Sequence, residues 1–227
     1  MLSLNGVSVY YKCRRVLTNL VLKLVPGELC VLVGKNGVGK TSFANALIAD
    51  KRYNVDGSVI LEDSNVRLAD SLRLAKLGIF LAFQHPAEIP GVVFIHFVKL
   101  AVSKLNSRLV PSLPAKLSML TEFLSLSTGL LHRAVNVGFS GGERRMLELV
   151  QMVALEPKVC ILDETDSGLD RVRLQSYVDL VLAFGESFRT MLIITHNMSV
   201  VKLLKPDSVY CLVCNGIINI TKLMYDQ

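Results

Sequence analysis

The sequence has no tryptophan and little charge: 19% of its 227 residues are Asp, Glu, Lys or Arg, against about 25% in soluble proteins generally. Long apolar runs are missing too. The longest stretch without a charged residue runs from Ser208 to Thr221 and is interrupted by Asn215, Gly216 and Asn219, whereas a spanning helix needs about 20 mostly apolar residues. No segment is expected to insert in a membrane. Fifteen glycines and seven prolines are too few for a collagen-like or low-complexity chain. The opening Met1-Leu2-Ser3-Leu4-Asn5 has neither a basic stretch before an apolar core nor the Arg- and Ser-rich pattern of a transit peptide. Five scattered cysteines (13, 30, 160, 211 and 214), an odd number, fit a reducing compartment better than a disulfide framework. The expectation is a cytoplasmic chain, or a stromal one if an organelle encodes it.

What is present points to a folded α/β protein. A chain of this length buries roughly 70–75% of its unfolded surface, which suggests one domain or two subdomains around a shared core. The net charge is +6, with basic residues in small groups (Lys12, Arg14, Arg15; Arg144, Arg145) that lack aromatic partners for base stacking. No nucleic acid is expected as a partner; a phosphate ligand or an acidic protein explains the balance as well. Lys51-Arg52 and Arg171-Val172-Arg173 read as solvated surface charge.

The first thirty residues have a β pattern. Leu2, Leu4, Val7 and Val9 precede a basic turn, Leu20, Leu22 and Leu24 alternate with polar positions, and Pro26-Gly27-Glu28 marks a turn. Leu29 to Val33 is then a continuous apolar run of strand length, as in a strand buried on both faces. It leads through a glycine-rich loop into a helical stretch, Thr41 to Asp50, which together form the opening unit of a parallel α/β sheet. Val159–Leu162, Met191–Ile194 and Ser208–Val213 repeat the buried-strand pattern. Between them, roughly Pro86 to Val137 is helical: Phe94, Phe97, Ala101, Leu105 and Leu109 recur at helical spacing, with Lys99, Lys104 and Arg108 on other faces. Pro111 and Pro114 are expected to stop that helix, and Lys116 to Leu131 to form another.

Gly34-Lys35-Asn36-Gly37-Val38-Gly39-Lys40-Thr41 fits GxxxxGK[ST], and Ser42 follows in the same helix. The glycines let successive N–H groups turn inward on phosphate oxygens, the helix behind adds its positive end, Lys40 neutralises β/γ charge and Thr41 is placed for Mg²⁺. The context, buried strand before and helix after, makes a nucleotide the expected ligand. Leu162-Asp163-Glu164 ends a buried strand, where ligands bind in parallel sheets; Asp163 would hold Mg²⁺ through water and Glu164 polarise the attacking water. Ser140-Gly141-Gly142-Glu143 opens a helix twenty residues before that acid pair. Ser140 and Glu143 also fit a plain capping box, but two glycines are poor first-turn residues and suit close approach to another molecule's phosphates.

That segment resembles the signature of the ATP-binding cassette family, and the other features of the family fall in order. Gln84 matches the Q-loop glutamine that links Mg²⁺ to the helical subdomain, Ser167-Gly168-Leu169-Asp170 the D-loop, and His196 the switch histidine. Tyr11 is placed to stack on adenine, although Tyr10 is adjacent and either could simply pack. The resemblance implies a P-loop fold with a parallel-sheet core, an N-terminal antiparallel β subdomain and a helical subdomain. That is one domain over 1–227, with 1–85 and 138–227 as core and 86–137 as the helical part. Within the family, Phe80 to Gly91, Asn136 to Glu143 and Leu155 to Asp170 resemble the SufC branch, soluble ATPases of SUF iron–sulfur cluster assembly, and the resemblance runs from about residue 2 to 220. It implies Mg-dependent ATP hydrolysis, with Lys40, Gln84, Glu164 and His196 catalytic. It also implies SufB/SufD-type scaffold partners and a transient ATP-dependent homodimer. Departures are a shorter helical insert, Thr165 and Arg144-Arg145 in place of commoner choices, and a brief tail.

The alternative is the nucleotide-binding subunit of a membrane transporter, which shares the same motifs. A two-cassette translation factor is excluded by the single P-loop and single signature. Partner recognition is expected through residues about 84 to 110, where Ala87 to Gly91 reads as an exposed loop. Arg145 either pairs with Glu164 in the resting monomer or is an exposed helix charge. Cys211 and Cys214, three apart on a strand, would point to opposite faces and are read as packing residues rather than metal ligands.

Overall fold

The computed structural model describes residues 1–62, 64–66, 69–185, 190–213 and 216–225. The chain opens with the antiparallel pair β1 (Leu2–Tyr11) and β2 (Arg14–Leu24), then β3 (Glu28–Val33), the glycine loop and α1 (Lys40–Leu47). β4 (Tyr53–Leu61) and β5 (Ser64–Asn65) complete the first sheet, and α2 (Ser71–Lys76) leads to β6 (Ile79–Ala82). Residues 86–137 hold β7 (Ile89–Val93), α3 (Phe94–Leu105), α4 (Leu113–Phe123) and β8 (Ala134–Val135). The chain then returns through α5 (Gly141–Leu155), β9 (Val159–Asp163), α6 (Arg171–Gly185), β10 (Thr190–Ile194), α7 (Met198–Leu204), β11 (Ser208–Val213), β12 (Gly216–Asn219) and α8 (Thr221–Tyr225).

The central sheet runs β12-β11-β3-β10-β9-β6, parallel except for β12. Its strands are apolar on both faces because both faces are covered. Cys30, Leu32, Ile161 and Leu192 join α1 and the antiparallel sheet in one core, whereas Val31, Val33, Cys160, Leu162 and Ile193 join α3 to α6 in the other. Burial pushes the Cys30 thiol up to about 12, so it serves as a packing residue. Cys13, Cys30, Cys160 and Cys211 are free; Cys214 lies outside the described residues. The carboxyl ends of β3, β6, β9 and β10 meet on one edge, where the crevice of a parallel sheet takes ligands.

The switch from Leu2 and Leu4 to Val7 and Val9 on the buried face has a local cause. The ladder shifts register between Leu4 and Val7 against β2, and between Asn5 and Ser8 against β4. An added residue reverses which side chains face inward. Gly6 (φ +62) and Gly57 (φ +87) face each other there, and a Cβ on Gly57 would lie 2.4 Å from the Gly6 carbonyl oxygen. Only glycine fits that crossing.

The helical segment corrects four sequence expectations. The stripe of α3 that packs inward is Phe94, Val98 and Val102, all fully buried, while Phe97 lies at its margin and Leu105 is half-buried. Pro114 does not stop a helix; it sits at the start of α4, where its missing N–H costs nothing. That helix ends at Phe123, before the left-handed Ser125 (φ +51), and 128–132 is a separate 3₁₀ turn. Ile89–Val93 is a strand rather than a loop, since Ile89 pairs with Val135 and Val93 with Ala134. Among the described residues no helix is long and apolar enough to cross a membrane.

Candidate nucleotide site

β3 delivers the glycine loop to the crevice. Gly37 (φ +80) and Gly39 (φ +108) adopt the left-handed backbone that wraps the loop around the start of α1. Lys40, only 4% exposed, folds back over the loop: its Nζ donates to the Gly34 carbonyl at 3.0 Å and to that of Lys35 at 3.3 Å. Asn36, Gly37, Gly39, Lys40, Thr41 and Ser42 line a cleft of about 320 Å³ together with Gln84, Glu164 and Val16. Val38 turns inward to the core.

Glu164 follows β9 with a left-handed backbone (φ +49), held by its N–H to the Ile194 carbonyl at 2.9 Å. Its carboxylate gathers groups from three other segments. Oε1 lies 3.3 Å from Lys40 Nζ and 3.5 Å from His196 Nδ1, and Oε2 accepts from Gln84 Nε2 at 2.7 Å. Gln84 in turn accepts the Thr41 hydroxyl at 3.3 Å. Thr195 Oγ1 donates to Asp166 at 2.8 Å and accepts the Asn197 N–H at 2.9 Å, bracketing the exposed His196. Asp166 is a supporting residue that the motifs did not single out.

Asp163 is 2% exposed, and its Oδ1 has no hydrogen-bond partner. Burial raises its pKa to about 6, with the Thr41 hydroxyl opposing. An orphaned carboxylate oxygen beside a hydroxyl and an amide oxygen is a hard-oxygen donor set suited to Mg²⁺, which takes few protein ligands and completes its shell with water and phosphate. Mg²⁺ fits these residues.

The remaining sequence candidates do not line this cleft. Ser140 caps α5: its hydroxyl accepts the Glu143 N–H at 3.2 Å while the Glu143 carboxylate accepts the Ser140 N–H at 2.8 Å. The capping box is thus formed, and those bonds hold the Glu143 carboxyl below its usual range. Arg173, read from sequence as solvated, lies across the signature: a Cβ on Gly142 would meet its Cδ and Nη1 at 2.8 Å. It also pairs with Asp170 at 3.3 Å. Gly141 borders a hollow with Gln84, Phe139 and Arg145. Tyr11 does not line the cleft; its ring packs on Tyr53 at 5.1 Å, under Lys12.

Arg145 corrects both sequence expectations for it. It is buried (9% exposed) and turns away from Glu164: Nη1 donates to the Phe83 carbonyl at 2.7 Å and lies 3.8 Å from Glu148. Glu148 accepts the Phe83 N–H at 3.0 Å. The residue before Gln84 is therefore gripped at both its N–H and its C=O by α5. The signal for Glu148 was a lone acid within Met146-Leu147-Glu148-Leu149-Val150, because a helix apolar nearly all round is buried all round.

The family model described as ABC transporter matches residues 17–167. The chain belongs to the ABC transporter family. It is an ATPase cassette of that family. Its relatives include a protein named Probable ATP-dependent transporter SufC from Escherichia coli, 36% identical over 219 residues, covering 93% of this chain and 88% of the relative. A Probable ATP-dependent transporter ycf16 from Antithamnion sp. is 33% identical, with 92% and 86% covered. The dimeric structure of MJ0796, a bacterial ABC transporter cassette, shares the fold with a TM-score of 0.80 at 19% identity over 96% of each chain. The similarity thus places the chain beside SufC and ycf16 within the cassette ATPases.

Proposed function

We propose that this cassette is a SufC-like ATPase that drives conformational change in a SufB/SufD-type scaffold during iron–sulfur cluster assembly. The convergence of Lys40, Thr41, Gln84 and Glu164 on one cleft carries the ATPase part of this reading. The branch is supported by the likeness to the Escherichia coli SufC relative over 93% of this chain. ATP lies against the inward N–H groups of Gly34 to Thr41, with Ser42 beside them, and its phosphates replace the Glu164 carboxylate on Lys40. Glu164, so released, orients a water and takes its proton as the water oxygen bonds to the γ-phosphorus. The bond to the ADP oxygen breaks, and ADP and phosphate leave. Gln84 and His196 position Glu164 and the water. Thr41, Gln84 and Asp163 would hold Mg²⁺, which neutralises phosphate charge when bound.

Ser140, Gly141, Gly142, Glu143 and Asp170 do not face their own chain's cleft. They act in a second copy, meeting the γ-phosphate held by its P-loop, so that ATP joins two chains and hydrolysis parts them. Glu164→Gln keeps the side chain's shape and removes the base, so turnover should fall about 10²- to 10⁴-fold. Sedimentation with Mg-ATP, with and without scaffold, should show a homodimer. A variant monomeric in both conditions would refute the sandwich, and near-normal turnover would remove Glu164 from its role.

The second reading, a transporter subunit, shares this engine and is supported by the names of the relatives, which call them transporters. Co-purification from cell extract separates the two: SufB/SufD-like proteins support the first reading and polytopic membrane proteins the second.

A further inference from the structure

A second cavity, of about 340 Å³, opens on the other side of the Gln84 loop from the phosphate cleft. Phe83, Pro86, Ala87, Ile89, Phe97 and Val135 supply an apolar wall. Four further lining residues are polar: His85, Asn136, Glu148 and Gln151. Two of them are more than nine-tenths buried, Glu148 at 5% exposure and Asn136 at 3%. Each has one oxygen in use or one amide committed. Glu148 Oε1 accepts the Phe83 N–H at 3.0 Å, and Asn136 Nδ2 donates to the Ala87 carbonyl at 2.8 Å. Each also has an oxygen left over: Glu148 Oε2 and Asn136 Oδ1 accept no hydrogen bond. The neighbouring cations do not supply the missing donors. Arg145 stays 3.8 Å from Glu148 and spends its Nη1 on the Phe83 carbonyl; Arg144, which borders the neighbouring hollow, pairs with Glu88 at 2.6 Å.

We infer that this cavity receives a basic side chain, arginine or lysine, presented by the protein partner that docks on the Gln84 loop. The inference rests on the partner reading given under Proposed function and names its chemistry. Orphaned buried acceptors are costly, and charge-assisted bonds to a carboxylate are roughly twice as strong as neutral ones. A hydroxyl has one proton and could serve only one of the two oxygens. An ammonium or guanidinium has several, and the methylene stem of either side chain matches the apolar wall. A partner gripping Glu148 also acts on the peptide that precedes Gln84, because Glu148 already holds the Phe83 N–H.

The test uses the full chain and a purified SufB/SufD-type scaffold in calorimetric titrations. Glu148→Gln keeps an acceptor for Phe83 and removes the charge; scaffold affinity should fall about tenfold or more. One Arg→Met or Lys→Met substitution on the scaffold should cause a like loss, and the two together should cost no more than either alone. An unfolding temperature at pH 8 no lower than that of the parent shows that the variant is folded. Val92→Asp, at an exposed position of β7, probes the docking face independently of the cavity. If Val92→Asp weakens binding while Glu148→Gln leaves it unchanged, the cavity assignment is overturned and the docking face stands. If Glu148→Gln weakens binding but no basic substitution couples to it, the cationic occupant is overturned. If neither variant changes affinity, the docking face itself lies elsewhere and this inference fails with it.

Discussion

Two buried carboxylates flank the Gln84 loop, and they are in opposite conditions. Glu164, 8% exposed, has a lysine, a histidine and an amide on its two oxygens. Glu148, 5% exposed, has one backbone N–H and an arginine just beyond bonding distance. Glu164 is satisfied by the groups a nucleotide needs, so phosphate must compete with it for Lys40. Glu148 lacks a donor, so an arriving ligand has only to supply one. On the readings proposed above, a ligand would enter the first cleft by displacement and the second by completion. Both reach the same Gln84, the first by a direct bond and the second through Phe83.

Removing the cation breaks the comparison on its first side. Lys40→Ala should lower ATP affinity about a hundredfold or more, since it deletes a charge-assisted phosphate contact, with the fold retained. Equilibrium binding of a fluorescent ATP analogue measures this, and unchanged affinity would sink the P-loop assignment.

The second side is tested by pH. Burial raises Glu148 from 4.5 to about 7, opposed by the Phe83 N–H and the Arg145 charge. Between those values the folded state holds a proton that the unfolded chain has lost, so this group's contribution to stability falls as pH rises through that window. At about 1.4 kcal/mol per unit, the loss approaches roughly 3 kcal/mol above pH 7. Glu148→Gln has no such titration: in urea unfolding it should match the parent near pH 4.5 and exceed it at pH 8. Parallel pH profiles for the two proteins would show that Glu148 is already neutralised.

A smaller effect sharpens the contrast between buried and exposed pairs. Arg173→Ala removes the half-exposed pair with Asp170 and should change monomer stability by no more than about 1 kcal/mol. A larger change in urea unfolding would mean that the packing of Arg173 over Gly142 stabilises the monomer.

The sequence by itself determined the parts whose geometry is local. Glycines at 37 and 39 set the loop because only they take its left-handed turns cheaply. The apolar runs at 29–33, 159–162 and 191–194 had to become strands covered on both faces, and Ser140 with Glu143 closes a cap within one helical turn. Tertiary structure alone decided which groups those parts meet. Glu164 finds Lys40, Gln84 and His196 from three separate segments, and Arg145 turns to Phe83 and Glu148 rather than to Glu164. Tyr11 packs on Tyr53, and Arg173 lies over Gly142 while keeping part of its side chain in solvent. Each of these outcomes depends on how α5, α6 and the β4 edge seat against distant strands. A side chain's spacing within its own helix or strand fixes its direction but not its partner, because the partner arrives through packing of the whole core.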